Sequence, residues 1–160
     1  MKVKGTTAYH ISDKKYEVGD VLLLPKRSYE KSVKYNTEMF MENLRLEKHS
    51  EKLSRLSSLF VSPNIETAKK WRDKKCRFKP VTIYELELTG ELSTHKSKYF
   101  EECYSFFDKP QYRIHTECDS KEEAAYKYWS DTVRFEGSGD FLVEGLFVGE
   151  AKVIGIIELK

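Results

Sequence analysis

Three separated stretches carry the residue types that chemistry would use: His10 near the start, Phe60 and Ser62 in the first half, and Glu144 near the end. Glu144 follows directly on Phe141-Leu-Val143, inside an apolar and β-branched run that continues to Leu159. Such a run reads as buried strand. An ionised carboxylate is seldom left in one without a partner or a purpose, and the plainer alternative is an edge-strand Glu facing water. Gly145 and Gly149 flank Leu-Phe-Val, as at a bend or bulge where another chain or a ligand comes close. An imidazole such as His10 can hold a hydrogen bond for the fold or work at a site. The Ser62-Pro-Asn64 opening of a helix exposes backbone N–H groups that can receive phosphate.

Other chemistries find little support. The chain has neither a Gly-x-Gly-x-x-Gly nor a Walker motif, and neither His-Glu-x-x-His nor Cys-x-x-Cys. Cys76, Cys103 and Cys118 are odd in number and match no metal spacing, which leaves structural roles or an isolated thiol nucleophile. No metal is expected. His49, His95 and His115 sit in no motif.

The elements that must position these residues follow from period and punctuation. Thr6–Ser12 reads as a first strand holding Tyr9, His10 and Ser12. Tyr16–Asp20 turns into a second short strand, Val21–Leu24, stopped by Pro25. Residues 26–55 read as a charged surface insertion with one helix from about Thr37 to Leu53. That segment either stays a solvated helix or covers a pocket. Ser57–Ser62 is a strand, and the helix after it runs to about Lys75, with Ser62 as cap and Pro63 in first position. Val81–Thr89 alternates as a half-exposed strand that Gly90 ends. Residues 96–108 read as an aromatic helix. Asp119-Ser-Lys-Glu122 reads as a capping box for a helix through Trp129, and Gly137-Ser-Gly139 as the loop into two or three final strands. The sum is α+β with a mostly antiparallel sheet.

At 160 residues, 39% hydrophobic and 13% aromatic, the chain reads as one domain with a real core. No apolar run approaches the roughly 20 residues that span a bilayer, and the first residues lack an apolar signal region, so a cytoplasmic location is expected. Charge is uneven. Residues 1–80 hold 19 Lys and Arg against 10 Asp and Glu; residues 81–160 hold 9 against 16. A basic half can attract a phosphate backbone, and an acidic half can contact a basic partner.

Taken in order, these features resemble the ADP-ribosyltransferase family. Tyr9-His10 is similar to its first-strand histidine, Leu59-Phe-Val-Ser62 to its strand leading into a helix, and Glu144-Gly-Leu-Phe-Val-Gly-Glu-Ala151-Lys-Val153 to its late Glu-led strand. The resemblance also takes in Val18–Val21 and Tyr84–Gly90, as in the small rifamycin-modifying members. It implies a split, mostly antiparallel sheet core with flanking helices and NAD as substrate. Tyr9, His10, Ser12, Phe60, Ser62 and Glu144 would then hold NAD. His10 would orient the adenosine ribose, Phe60 would stack on the nicotinamide, and Glu144 would bond the nicotinamide ribose and stabilise the cationic state as nicotinamide leaves. Phe60 stands where many members have Tyr, Ile11 where Gly is common, and Leu142 where arginine-modifying members carry Gln or Glu. The resemblance and the basic first half together imply a macromolecular acceptor, RNA in particular, and a bacterial or phage toxin or defence protein with an antitoxin or regulatory partner. A protein acceptor, a 2′-phosphotransferase-like enzyme and a non-catalytic NAD- or partner-binding module are the alternatives.

Overall fold

The structure, a computed structural model, describes residues 1–75, 79–108, 117–130, 133–136 and 142–157. Its elements are β1 (Lys2–Ser12), α1 (Tyr35–Lys48), β2 (Leu59–Val61), α2 (Ile65–Lys75), β3 (Thr82–Lys96), α3 (Ser97–Phe107), α4 (Lys121–Ser130) and β4 (Val143–Ile157). The fold is α+β. All strand pairs are antiparallel, in the order β1-β3-β4-β2, and four helices accompany the sheet among the described residues.

Burial explains the strand patterns. In β3, Leu86 and Leu88 are buried while Glu87 and Thr89 are exposed, the alternation of a strand covered on one face. In β4, Val143 to Phe147 are all buried because both faces are covered there; beyond Gly149, buried Ala151 and Val153 alternate with exposed Glu150 and Lys152. Side chains of alternate parity enter two cores. Leu59, Val61 and Phe147 join Ala8, Leu22, Leu86 and Val153 on one face. Phe60 and Leu146 face Met41 of α1, Tyr99 and Phe100 of α3, and Tyr128 and Trp129 of α4 on the other.

Several expectations are corrected. The last stretch is one 15-residue strand, not two or three, and β3 does not end at Gly90. Gly90 and Gly149 lie opposite each other with φ of 156° and 143°, and a Cβ on Gly149 would come within 2.5 Å of the Thr89 carbonyl. The two glycines let both strands continue past each other where side chains would collide. Val21–Leu24 is not a strand of the sheet. Its loop lies along β4, with Gly19 N–H bonding the Val153 carbonyl and Leu22 N–H the Ala151 carbonyl. Helix α1 stops at Lys48, short of Leu53, and Arg45 Nη1 bonds the Lys52 carbonyl at 2.9 Å, holding the returning chain against the helix. Ser62 does not cap α2; its backbone is engaged with Tyr9, and Asn64 Oδ1 accepts the Thr67 N–H instead. The capping box of α4 sits one residue later than expected: Ser120 Oγ accepts the Glu123 N–H, and the Glu123 carboxylate accepts the Asp119 N–H. The Gly137-Ser-Gly139 loop and His115 lie outside the described residues.

Candidate functional site

The site begins where β1 and β2 meet. Tyr9 and Ser62 exchange both backbone hydrogen bonds, at 2.9 and 2.7 Å. Two residues on, the next rung of an antiparallel ladder would pair Ile11 with Phe60. That rung is missing, and the Phe60 carbonyl accepts a hydrogen bond from His10 Nδ1 at 2.8 Å. A carbonyl only accepts, so Nδ1 carries the proton and Nε2 is left as an acceptor in the neutral ring. Burial lowers the His10 pKa, and the cations Arg27 and Lys14 push the same way against the Phe60 hydrogen bond. The ring is therefore neutral at pH 7, and no partner occupies Nε2 among the described residues.

Glu144 stands across the same cleft on β4, opposite His95 of β3. It is 8% exposed and does not face water as an edge-strand residue would. One of its oxygens, Oε2, accepts from Arg55 Nη1 at 2.5 Å and from the Tyr128 hydroxyl at 2.6 Å. Arg55 is itself held by both oxygens of Glu38, at 3.0 to 3.2 Å. Burial opposes the guanidinium charge, but Glu144, the Tyr128 oxygen and Glu38 outweigh it and raise the Arg55 pKa well above its ordinary value. Burial likewise raises the Tyr128 hydroxyl well above 10, so it stays a donor. Two carboxylates thus share one guanidinium, with a second, that of Arg27, nearby over the Phe60 ring. Both donors take the same oxygen of Glu144, and Oε1 has no donor among the described residues and is not among the sealed, unpartnered polar atoms. It is the oxygen left to the cleft.

The cleft holds about 340 Å³, at the small end of the roughly 300–1,000 Å³ of ligand sites. Tyr9, His10, Phe60, Ser62 and Glu144 all line it. Ser12 does not; its hydroxyl accepts the Lys14 N–H in a local turn. Phe60 is already in contact with cations: the Arg27 guanidinium lies 4.2 Å and that of Arg55 5.0 Å from its ring centre. Gly145 keeps β2 close behind the site, since a Cβ there would meet Val61 and Phe135 at 2.7 and 2.8 Å. Among the described residues no group of three or more His, Cys, Asp or Glu could hold a metal ion. Cys103 and Cys118 are buried with thiols pushed up to about 12 by that burial, which suits packing and not nucleophilic attack.

Sequence reasoning passed over Arg27, Glu38, Arg55 and Tyr128. Three of them come from residues 26–55, which the reading as a solvated insertion set aside. That reading is corrected: Thr37, Glu38, Met41 and Arg45 are the buried face of α1, and Arg55 is 6% exposed in the loop after it. Positions 37, 38, 41 and 45 have helical spacing, but only one is apolar, so an apolar stripe does not show them. The one available signal was the excess of charge in a chain segment that had to pack on something.

The chain belongs to the family described as a protein of unknown function (DUF2441), whose sequence profile matches residues 4–159. No curated protein matches it. Among the described residues no helix is long and apolar enough to cross a membrane.

Proposed function

We propose that the chain is an NAD-dependent ADP-ribosyltransferase whose substrate lies between His10 and Glu144. The observation that carries this reading is the meeting of an unoccupied imidazole nitrogen and an unoccupied carboxylate oxygen in one cleft, from residues 134 positions apart in sequence. Neutral His10 offers Nε2 to a ribose hydroxyl. Glu144 Oε1 faces the nicotinamide ribose. When the bond from the ribose C1′ to the nicotinamide nitrogen breaks, its electron pair leaves with nicotinamide and positive charge develops on the sugar. A fixed carboxylate beside that carbon stabilises the charge without reorganising, an effect commonly worth about 10²–10³ in rate for one group. Arg55 and Tyr128 hold the other oxygen and so fix the direction of the open one. The acceptor's nucleophilic atom forms the new bond to C1′ and passes its proton to the Glu144 carboxylate or to solvent water; where water is the acceptor the product is free ADP-ribose. The cleft would enclose part of a dinucleotide, and Arg27, whose Nη1 donates to the Arg55 and Ser58 carbonyls, would offer its remaining N–H groups to the phosphates. Stacking of nicotinamide on Phe60 requires the guanidinium of Arg27 to share or leave that ring.

A second reading is a non-catalytic NAD- or partner-binding module of the same fold. It draws on the 2.5 Å pairing of Glu144 with Arg55, which offsets part of the carboxylate's charge. Incubating the chain with NAD and measuring released nicotinamide separates the two. Release that falls at least 100-fold in Glu144→Gln, with an unchanged circular dichroism spectrum, is expected of the enzyme. NAD binding with no nicotinamide release, or equal release by Glu144→Gln, sinks the transferase reading.

A further inference from the structure

The interior of the cleft is balanced in charge, but its mouth is not. Besides Glu38, Arg55, Phe60, Val61 and Glu144, its lining comes from four segments: 9–15, 26–34, 62–74 and 96–101. Together they hold 12 Lys and Arg against 5 Asp and Glu, while the rest of the chain holds 16 against 21. A protein of net charge +2 thus carries a surplus of seven positive charges on the four segments that reach this opening and is net acidic over the rest of the chain. Beyond Tyr9 and Phe60, which face the NAD site, and Phe100, which is 3% exposed, the same opening is lined by the rings of Tyr29 and Trp71. Trp71 is half-buried, with Lys74 Nζ 5.6 Å from its ring. At the rim, Lys34 and Lys74 both lie beside Glu101 Oε1, at 3.8 and 3.9 Å. Lys31 and Lys70 are exposed on the same segments.

A ring of cations interleaved with aromatic faces is the chemistry that takes a flexible polyanion whose bases stack. An acidic protein surface would satisfy the charges but would not use the rings, and a rigid duplex would present phosphates without free bases. We propose that the cleft mouth is a docking surface for single-stranded nucleic acid, and that this strand is the ADP-ribose acceptor. The second half of the statement rests on the transferase reading; the first does not.

The test uses fluorescein-labelled single strands of about 20 nucleotides, one RNA and one DNA, with a duplex of the same sequence, titrated with the full chain from about 50 to 200 mM salt. Tight binding of either single strand, with log K falling linearly against log salt, is expected. Lys31→Gln/Lys70→Gln/Lys74→Gln, three exposed side chains outside the NAD site, is expected to lower affinity at least tenfold and to flatten the salt slope by about 2, at about 0.7 per phosphate contact. Nicotinamide release without acceptor stays unchanged in that variant. Binding of RNA alone or of DNA alone identifies which strand is taken. No single-strand binding at about 50 mM salt, duplex preferred over single strand, or equal affinity in the triple variant overturns the docking surface. If strands bind but neither nicotinamide release nor label transfer from NAD is seen, the docking surface stands and the transferase reading falls. If NAD is cleaved and label enters protein but never the strand, the acceptor assignment falls and the transferase reading stands.

Discussion

The two faces of the sheet are built from the same strands and held by different physics. On one face Ala8, Leu22, Leu59, Val61, Leu86, Leu88, Phe147 and Val153 form a core without a charge. Among its buried side chains the one polar group is the tip of Tyr84, whose hydroxyl donates to the Lys14 carbonyl and accepts the Tyr16 N–H. On the other face Glu38, Arg55, Glu144, His95 and Tyr128 are buried among aromatic rings. The first face is stabilised by area removed from water, the second only so long as each polar group keeps its partner. The contrast shows where a site can be built. A carboxylate surrounded by apolar side chains needs a fixed counter-charge, and the device that supplies one also aims its free oxygen.

The contrast breaks most sharply at Arg55. Arg55→Ala leaves Glu38 and Glu144 buried without their cation and is expected to cost about 3–5 kcal/mol of stability in urea unfolding. Arg55→Met combined with Glu38→Gln and Glu144→Gln should recover most of that loss, because no uncompensated charge remains. On the apolar face Leu86→Ala should cost about 2–5 kcal/mol, through lost burial and an unfilled cavity. The Leu86→Ala loss is expected to be the same at pH 5 and pH 8, and a pH-dependent loss would show that this face is not held by apolar burial alone.

Acid provides the next test. Burial lowers the His95 pKa from 6.5 to about 4, against the pull of its Tyr128 carbonyl hydrogen bond, and burial lowers that of His10 as well. The unfolded chain therefore takes up protons at a higher pH than the folded one. Stability from this source is complete above pH 6.5 and is lost as pH falls toward 4, by about 3 kcal/mol for His95. His95→Gln should flatten the urea midpoint across that window. Tyr128→Phe removes two hydrogen bonds to charged groups, one donated to Glu144 and one accepted from Arg55 Nη1, each worth about 1.5–3 kcal/mol. It should also slow nicotinamide release, since Glu144 loses one of the two donors that aim it, whereas Ser12→Ala should change neither quantity.

How much of this was legible in the sequence depends on the period of each element. The strands around His10, Phe60 and Glu144 were readable because apolar and β-branched residues marked them, and the α+β class followed from their order. The lengths of β3 and β4 were not. Gly90 and Gly149 look like terminators one at a time, and only their pairing across the ladder lets both strands run on. Arg55 was hidden for another reason. Its loop is polar but for Leu53 and Leu56, and the face of α1 beside it buries Thr37, Glu38 and Arg45 in place of leucines. Periodicity measures apolar side chains and says nothing of polar groups buried in matched pairs. The capping signals were right in kind and displaced by a residue or two: Asn64 caps α2 in place of Ser62, whose backbone pairs with Tyr9, and Ser120 caps α4 in place of Asp119.

The central claim is that one dinucleotide spans His10 and Glu144, and a crystal structure of Glu144→Gln with NAD tests it most directly. The account places the nicotinamide ribose against residue 144 and the adenosine ribose hydroxyl on His10 Nε2. NAD bound elsewhere on the protein, or bound in the cleft with neither ribose touching these two side chains, would contradict it.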